Sequence, residues 1–161
     1  MSFLRKFRVA GEPLIRRVLH FYWRFARGAT LGVRAVVIDP QGRVFLIEHS
    51  YVAGWHLPGG GVETGESMMT ALRRELHEEG NIEIVGRPVM HGIFHNTGAS
   101  RRDHVAVYVV REYRQDSAPQ PNHEIIGHGF FSLDALPDGT SKGTHARLAE
   151  IFRGAPVSET W

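Results

Sequence analysis

Residues 60–82 read GGVETGESMMTALRRELHEEGNI, and the reading of this stretch decides the rest of the chain. From Ser67 to Glu79 the spacing predicts a helix, with Met68, Met69, Leu72 and Leu76 on one side. Thr64 and Glu66 stand near its start, where capping oxygens and negative charge are favoured. Gly80 and Asn81 tolerate left-handed backbone and end it. Glu75 and Glu79 fall one turn apart on the same face with Glu78 beside them, the three spanning about 100° of arc. Like charges at that spacing repel one another and cost helix stability, so a set kept close calls for a compensating cation. Oxygen-only ligands suit magnesium, with manganese able to substitute. Taken alone, the same residues also read as a solvated glutamate face, with Arg74–Glu78 as a surface ion pair and Pro58–Gly61 as an ordinary turn.

Upstream, Leu31–Asp39 is rich in β-branched residues and reads as a strand. Turn material at Pro40-Gln41-Gly42 leads into a second strand, Arg43–Glu48, and the pair reads as a hairpin. Trp55–Leu57 is a short extended piece, and the run Pro58-Gly59-Gly60-Gly61 breaks regular structure. Downstream, Ile82–His95 and Asp103–Tyr113 alternate as long strands joined by Asn96–Arg102. Ser117–Asn122, with two prolines, is a loop; Gly129–Ser132 is a short strand; Thr144–Phe152 is a closing helix. Helices interleaved with strands of mixed connection predict an α/β fold, a curved mixed sheet packed between helices.

The chain has 161 residues, enough for one core and few for two. At 42% hydrophobic and 22% charged it has a globular balance that argues against disorder. The absence of cysteine excludes disulfides, thiolate catalysis and Cys-ligated zinc. The formal charge of +2 hides an asymmetry: residues 1–30 hold seven basic residues and one acid (+6), which leaves −4 on the remainder. Within this leader, residues 12–27 read EPLIRRVLHFYWRFAR: Pro13 suits a first turn, apolar residues recur at helical spacing and Gly28 is a stop. A basic amphipathic helix over 1–28 is therefore expected ahead of a domain over 29–161. Charges interrupt the apolar run, which argues against a secretory signal, and no run is long enough to span a membrane. The preferred reading is a helix packed on the domain or on a second subunit; weak peripheral contact with an anionic membrane is the competing one. The expected compartment is the cytoplasm.

Reading forward from Gly60, five residues lead to Glu66, seven more to Arg74-Glu75-Leu76, and one further to Glu78-Glu79. This resembles the Nudix box of the Nudix hydrolases. The resemblance extends upstream to Trp55-His56-Leu57-Pro58-Gly59-Gly60-Gly61, covers Thr64-Gly65-Glu66, and includes Phe130–Pro137; only residues 1–28 fall outside it. One position departs: Asn81 holds the place usually taken by glycine, with Gly80 one residue early. Asparagine is the next most tolerant residue of left-handed geometry, so the helix ending is expected to survive.

The resemblance implies an α/β/α sandwich and hydrolysis of a nucleoside diphosphate linked to another group. It implies Glu75 and Glu79 as metal ligands, Glu78 as a ligand or water-activating base, and a backbone oxygen ligand from Gly60 or Gly59. Arg74 would orient the glutamates and Glu66 would brace the junction of loop and helix. A further carboxylate commonly comes from a later loop, for which Glu124 is the candidate, a plain surface glutamate being the alternative. Trp55, His56, Gly59 and Gly61 are candidate substrate contacts, with a packed core residue as the alternative for Trp55. His91 and His95 would share a strand face, but histidine has little use at an oxygen-ligand magnesium site. The expected partner is a small nucleotide-like molecule, a capped RNA end being one form; no motif for sequence-specific nucleic-acid binding is present, and related enzymes frequently form homodimers. A catalytically silent nucleotide-binding module is the alternative function. Isomerisation of a small diphosphate is a third, which needs an added acid, frequently a cysteine.

Overall fold

The computed structural model describes residues 16, 17, 19, 21–23, 25–119 and 123–161. The described residues across 16–26 are helical, α1, and Phe21, Tyr22 and Phe25 among them are exposed. Eight strands and two further helices follow: β1 (Thr30–Val37), β2 (Val44–His49), β3 (Trp55–His56), α2 (Met68–Gly80), β4 (Glu83–Ile84), β5 (Val89–His95), β6 (Asp103–Val110), β7 (Tyr113–Arg114), β8 (Ile125–Phe131) and α3 (Lys142–Arg153). One sheet has the order β1-β6-β5, with β1 and β6 parallel; a second has the order β3-β2-β8; β4 and β7 form a small ribbon.

Alternation along the strands explains the layers. Val33, Ala35 and Val37 of β1, Phe45 and Ile47 of β2, and Ala106 and Tyr108 of β6 meet Ala71, Leu72 and Leu76 of α2. Their neighbours Val36, Val44, Leu46, Val105 and Val107 pack on the other side with Phe94 of β5 and Leu148 of α3. Strands buried on both faces read as near-continuous apolar runs, and here the two helices cover opposite faces, giving the expected α/β/α sandwich.

The β1–β2 hairpin is not formed. The turn is tight, with Asp39 accepting the N–H groups of Gln41 (3.0 Å) and Arg43 (2.7 Å). Beyond the bridge between Ile38 and Val44, however, β1 pairs in parallel with β6 along its whole length, and β2 pairs with β3 and β8. Each long expected strand is also broken. The N–H groups of Val85 and Gly86 both donate to the Glu112 carbonyl, so the chain kinks together at 85–88 and 111–112. A bulge between Met90 and Gly92 places His91 beside Phe94, stacked at 5.8 Å, on the α3 side. His91 and His95 consequently do not share a face. β8 begins four residues earlier than expected, and α3 extends beyond 144–152 at both ends.

The cap of α2 is Ser67, whose hydroxyl accepts the Thr70 N–H at 3.1 Å. At the other end Asn81 adopts φ 49° and its side-chain amide donates to Ser117 at 3.1 and 2.8 Å. Replacing Asn81 by Ala should lower the urea midpoint by the equivalent of about 1–2 kcal/mol, with Gly less costly because it adopts the left-handed region freely.

Candidate active site

The glycine run after β3 lies along the edge of β1 that β6 leaves open. Ala35 N–H donates to the Pro58 carbonyl (2.9 Å), Val33 N–H to that of Gly60 (2.8 Å), and Val62 N–H to that of Leu31 (2.8 Å). Side chains would obstruct this course. Gly59 has φ 137°, and a Cβ there would stand 2.1 Å from the Val33 carbonyl oxygen; a Cβ on Gly60 would stand 2.3 Å from Glu75 Oε1. The loop is thus wedged between β1 and the acidic face of α2.

On that face Glu79 is 7% exposed. Its Oε2 accepts the Gly59 N–H at 2.6 Å, and its Oε1 lies 3.6 Å from His49 Nε2. Burial pushes the Glu79 carboxyl up to about 8, reinforced by the charges of Glu75 and Glu124 and opposed by the Gly59 N–H and Arg34. Glu75 is also raised, first by burial, with Arg74 opposing. His49 is lowered to about 4 by burial and then by Arg34, and its buried Nδ1 has no hydrogen-bond partner. Burial thus disfavours the charged form of both partners in the His49–Glu79 contact.

Arg74 organises the outer half of the site. Its guanidinium reaches Glu66 (3.2 and 3.3 Å), Glu75 (2.8 Å), Glu78 (3.3 Å) and the Gly61 carbonyl (3.1 Å). The Arg74 hydrogen bond, then that of the Glu63 N–H, holds the Glu66 carboxyl below the ordinary range.

Among the described residues no three His, Asp or Glu side chains converge as a ready-made metal cage. Glu79 is turned to Gly59, and Glu75 and Glu78 are turned to Arg74. The donors nonetheless suit a hard dication: the buried Glu79 carboxyl, the partly buried Glu75 carboxylate held by Arg74, a third carboxylate at the rim, and loop carbonyls within the same wedge. The Gly60 carbonyl already accepts Val33 N–H, which leaves it one lone pair for an ion.

Other expected residues are placed as follows. Glu124 lies exposed before β8, its carbonyl accepting Ser50 N–H at 2.8 Å, and its charge acts on both Glu79 and Tyr51. His56 and Gly61 line a cleft of about 330 Å³ beside the glycine loop, together with Arg34, Asn96, Asp103 and Trp161. Trp55 is absent from that lining and packs edge-on against Phe131 at 5.0 Å. Arg34, His49 and Trp161 are the residues that sequence reading missed. Arg34 carried a weak signal, a lone charge inside an apolar strand. Trp161 carried none: it arrives because the tail pairs with β5, His95 N–H donating to Glu159 (2.9 Å) and Trp161 N–H to His95 (3.1 Å).

The Glu79 proton sets a stability profile for the metal-free protein. The folded chain keeps it up to about pH 8, whereas an unperturbed glutamate releases it near 4.5. The stabilisation linked to this proton is complete below pH 4.5 and is lost as pH rises through 8. Thermal melts in chelator should therefore fall across this window, and Glu79→Gln should flatten the fall while preserving the fold.

A family model described as the NUDIX domain matches residues 28–153. Among curated proteins, the chain is 42% identical over 52 residues to an RNA pyrophosphohydrolase of Francisella tularensis subsp. mediasiatica (strain FSC147), covering 32% of this chain and 34% of that one. It is 39% identical over 64 residues to an RNA pyrophosphohydrolase of Legionella pneumophila (strain Corby), covering 37% of each. The chain thus spans about a third of the length of the curated relatives it matches. Among solved structures, the MutT NUDIX hydrolase from Burkholderia pseudomallei superposes with a TM-score of 0.66 at 24% identity, over 76% of this chain and 98% of that one, a likeness of fold. With a family model spanning every core strand and both helices of the sandwich, the chain belongs to the NUDIX domain family.

Proposed function

We propose that the chain is a divalent-cation-dependent pyrophosphohydrolase that cleaves a diphosphate linkage in a nucleotide-like substrate, with 29–161 as the catalytic unit. The observation that carries this reading is buried Glu79 and half-buried Glu75, wedged with rim-exposed Glu78 against a glycine loop that borders a cleft. Glu75, Glu79 and a Gly60 or Gly59 carbonyl would hold the cation, magnesium or manganese. When bound, the cation offsets charge on the diphosphate and lowers the pKa of water.

The chain's own residues supply the remainder. The Glu78 side chain is 56% exposed, so it is open to water and would accept a proton from the water whose oxygen attacks phosphorus. Arg74 holds Glu75 and Glu78 in place, and Glu66 fixes Arg74 from behind. Arg34 donates to the Leu57 carbonyl at 2.8 Å and projects from β1 into the cleft, where its charge suits a substrate phosphate. Trp161 offers an aromatic plane, and Asn96 and Asp103 offer polar edges, a lining suited to a nucleobase. Glu124 adds a carboxylate from the loop before β8. The likeness to two RNA pyrophosphohydrolases favours a second form of the same reading, with the 5′ end of an RNA as substrate.

A panel of nucleoside triphosphates, nucleotide sugars and 5′-triphosphorylated RNA should show turnover with magnesium or manganese and none in chelator. Glu78→Gln should lower kcat by about 10²–10⁴-fold. Glu79→Gln should remain folded and lose turnover. Tight nucleotide binding with no turnover on any substrate and either metal would instead identify a silent binding module. Trp161→Ala should raise KM about tenfold while leaving kcat near the parent value, as expected for a lost stacking surface.

A further inference from the structure

α1 lies outside the stretch matched by the family model, and none of its described residues lines the cleft. Its described side chains nevertheless divide sharply around the axis. At about 100° per residue, Arg16, Arg17 and Arg27 fall within one arc of about 100°, and Phe21, Phe25, Tyr22, Ala26 and Leu19 occupy an arc of about 160° on the other side. Trp23 sits at the boundary, with the Arg27 guanidinium 5.4 Å above its ring. Phe21, Tyr22 and Phe25 are 68%, 63% and 65% exposed, and the Phe21 and Phe25 rings meet edge to face at 5.2 Å. Leaving so many aromatic side chains in water is unfavourable, so this face needs cover.

Charge identifies the cover. Residues 1–30 carry +6 and the remainder of the chain −4. Pairing α1 with the α1 of a second copy through the aromatic faces would leave both arginine arcs on the outside without an anionic partner. An anionic bilayer complements both halves of the helix at once, accepting aromatic rings at the headgroup boundary and arginines at its phosphates. No helix among the described residues is long and apolar enough to cross a membrane, so the geometry is one of lying along the surface. We propose that α1 is an interfacial helix that seats this chain on an anionic phospholipid bilayer, independently of the hydrolytic reading.

The test is co-sedimentation of the full chain with vesicles of phosphatidylcholine alone and with about one quarter phosphatidylserine, from about 0.01 M to about 1 M salt. Binding should need the anionic lipid and fall steeply with salt. Arg16→Gln and Arg17→Gln should each weaken low-salt partitioning about fivefold. The double variant Phe21→Ser, Phe25→Ser should lose binding while its circular dichroism remains that of the parent. Failure to sediment with the anionic vesicles at low salt would overturn the proposal, as would sedimentation that the double variant leaves unchanged. A dimer in lipid-free solution that the double variant dissociates would give this face to a second copy and equally overturn it.

Discussion

The 2.6 Å hydrogen bond from Gly59 N–H to Glu79 joins two parts of the chain that are distant in sequence. One is the last turn of α2; the other is a loop with no regular structure of its own. The bond forms only because Gly59 holds φ 137° and Gly60 lets the Glu75 carboxyl approach the backbone. Glu79 is thereby drawn out of water and Glu75 partly so. Burying a carboxyl without a cation favours its neutral form, and this is the direction in which Glu75 and Glu79 are displaced. A dication at this site, as proposed, would relieve both that burial and the repulsion of closely spaced glutamates on the helix.

The sheets make this arrangement stiff. β1 is paired along one edge with β6 and along the other with the glycine loop, so the loop inherits the rigidity of a strand buried on both faces. On the opposite face α3 performs a comparable task for the far wall of the cleft. Arg147 is fully buried, lies 3.7 Å over the Phe94 ring, and reaches Glu150 (2.6 Å) and the Thr160 carbonyl (3.1 Å). Glu150 also accepts His91 (2.7 Å) and the Ser158 N–H (3.0 Å). A buried charge of this kind is tolerated only when paired and hydrogen-bonded, and the pairing here seats the tail that carries Trp161.

Much of this was legible in residue order, and the exceptions share a cause. α2 was readable because its apolar residues recur at 3.6-residue spacing and its ends carry capping chemistry, which are local facts. The Asn81 ending was readable for the same reason: its left-handed φ of 49° is a property of that residue and its neighbours. The hairpin failed because a tight turn at Asp39 says that the chain reverses and nothing about which partners its two strands then take. The kinks at 85–88 and 111–112 had a partial signal in Gly86 and Pro88, but their alignment depends on the Glu112 carbonyl serving both Val85 and Gly86 across the ribbon.

By itself, the order of residues determined the α/β class, the helix that carries the glutamates, their common face and the basic amphipathic leader, because each depends on spacings of a few residues. Only the tertiary structure decided that β1 pairs in parallel with β6, that Glu79 sinks beneath the glycine loop beside His49, and that Arg34 and Trp161 share a cleft with His56. These depend on which distant surfaces bury one another, and that choice is made by the packing of the whole core, to which no short window of sequence has access.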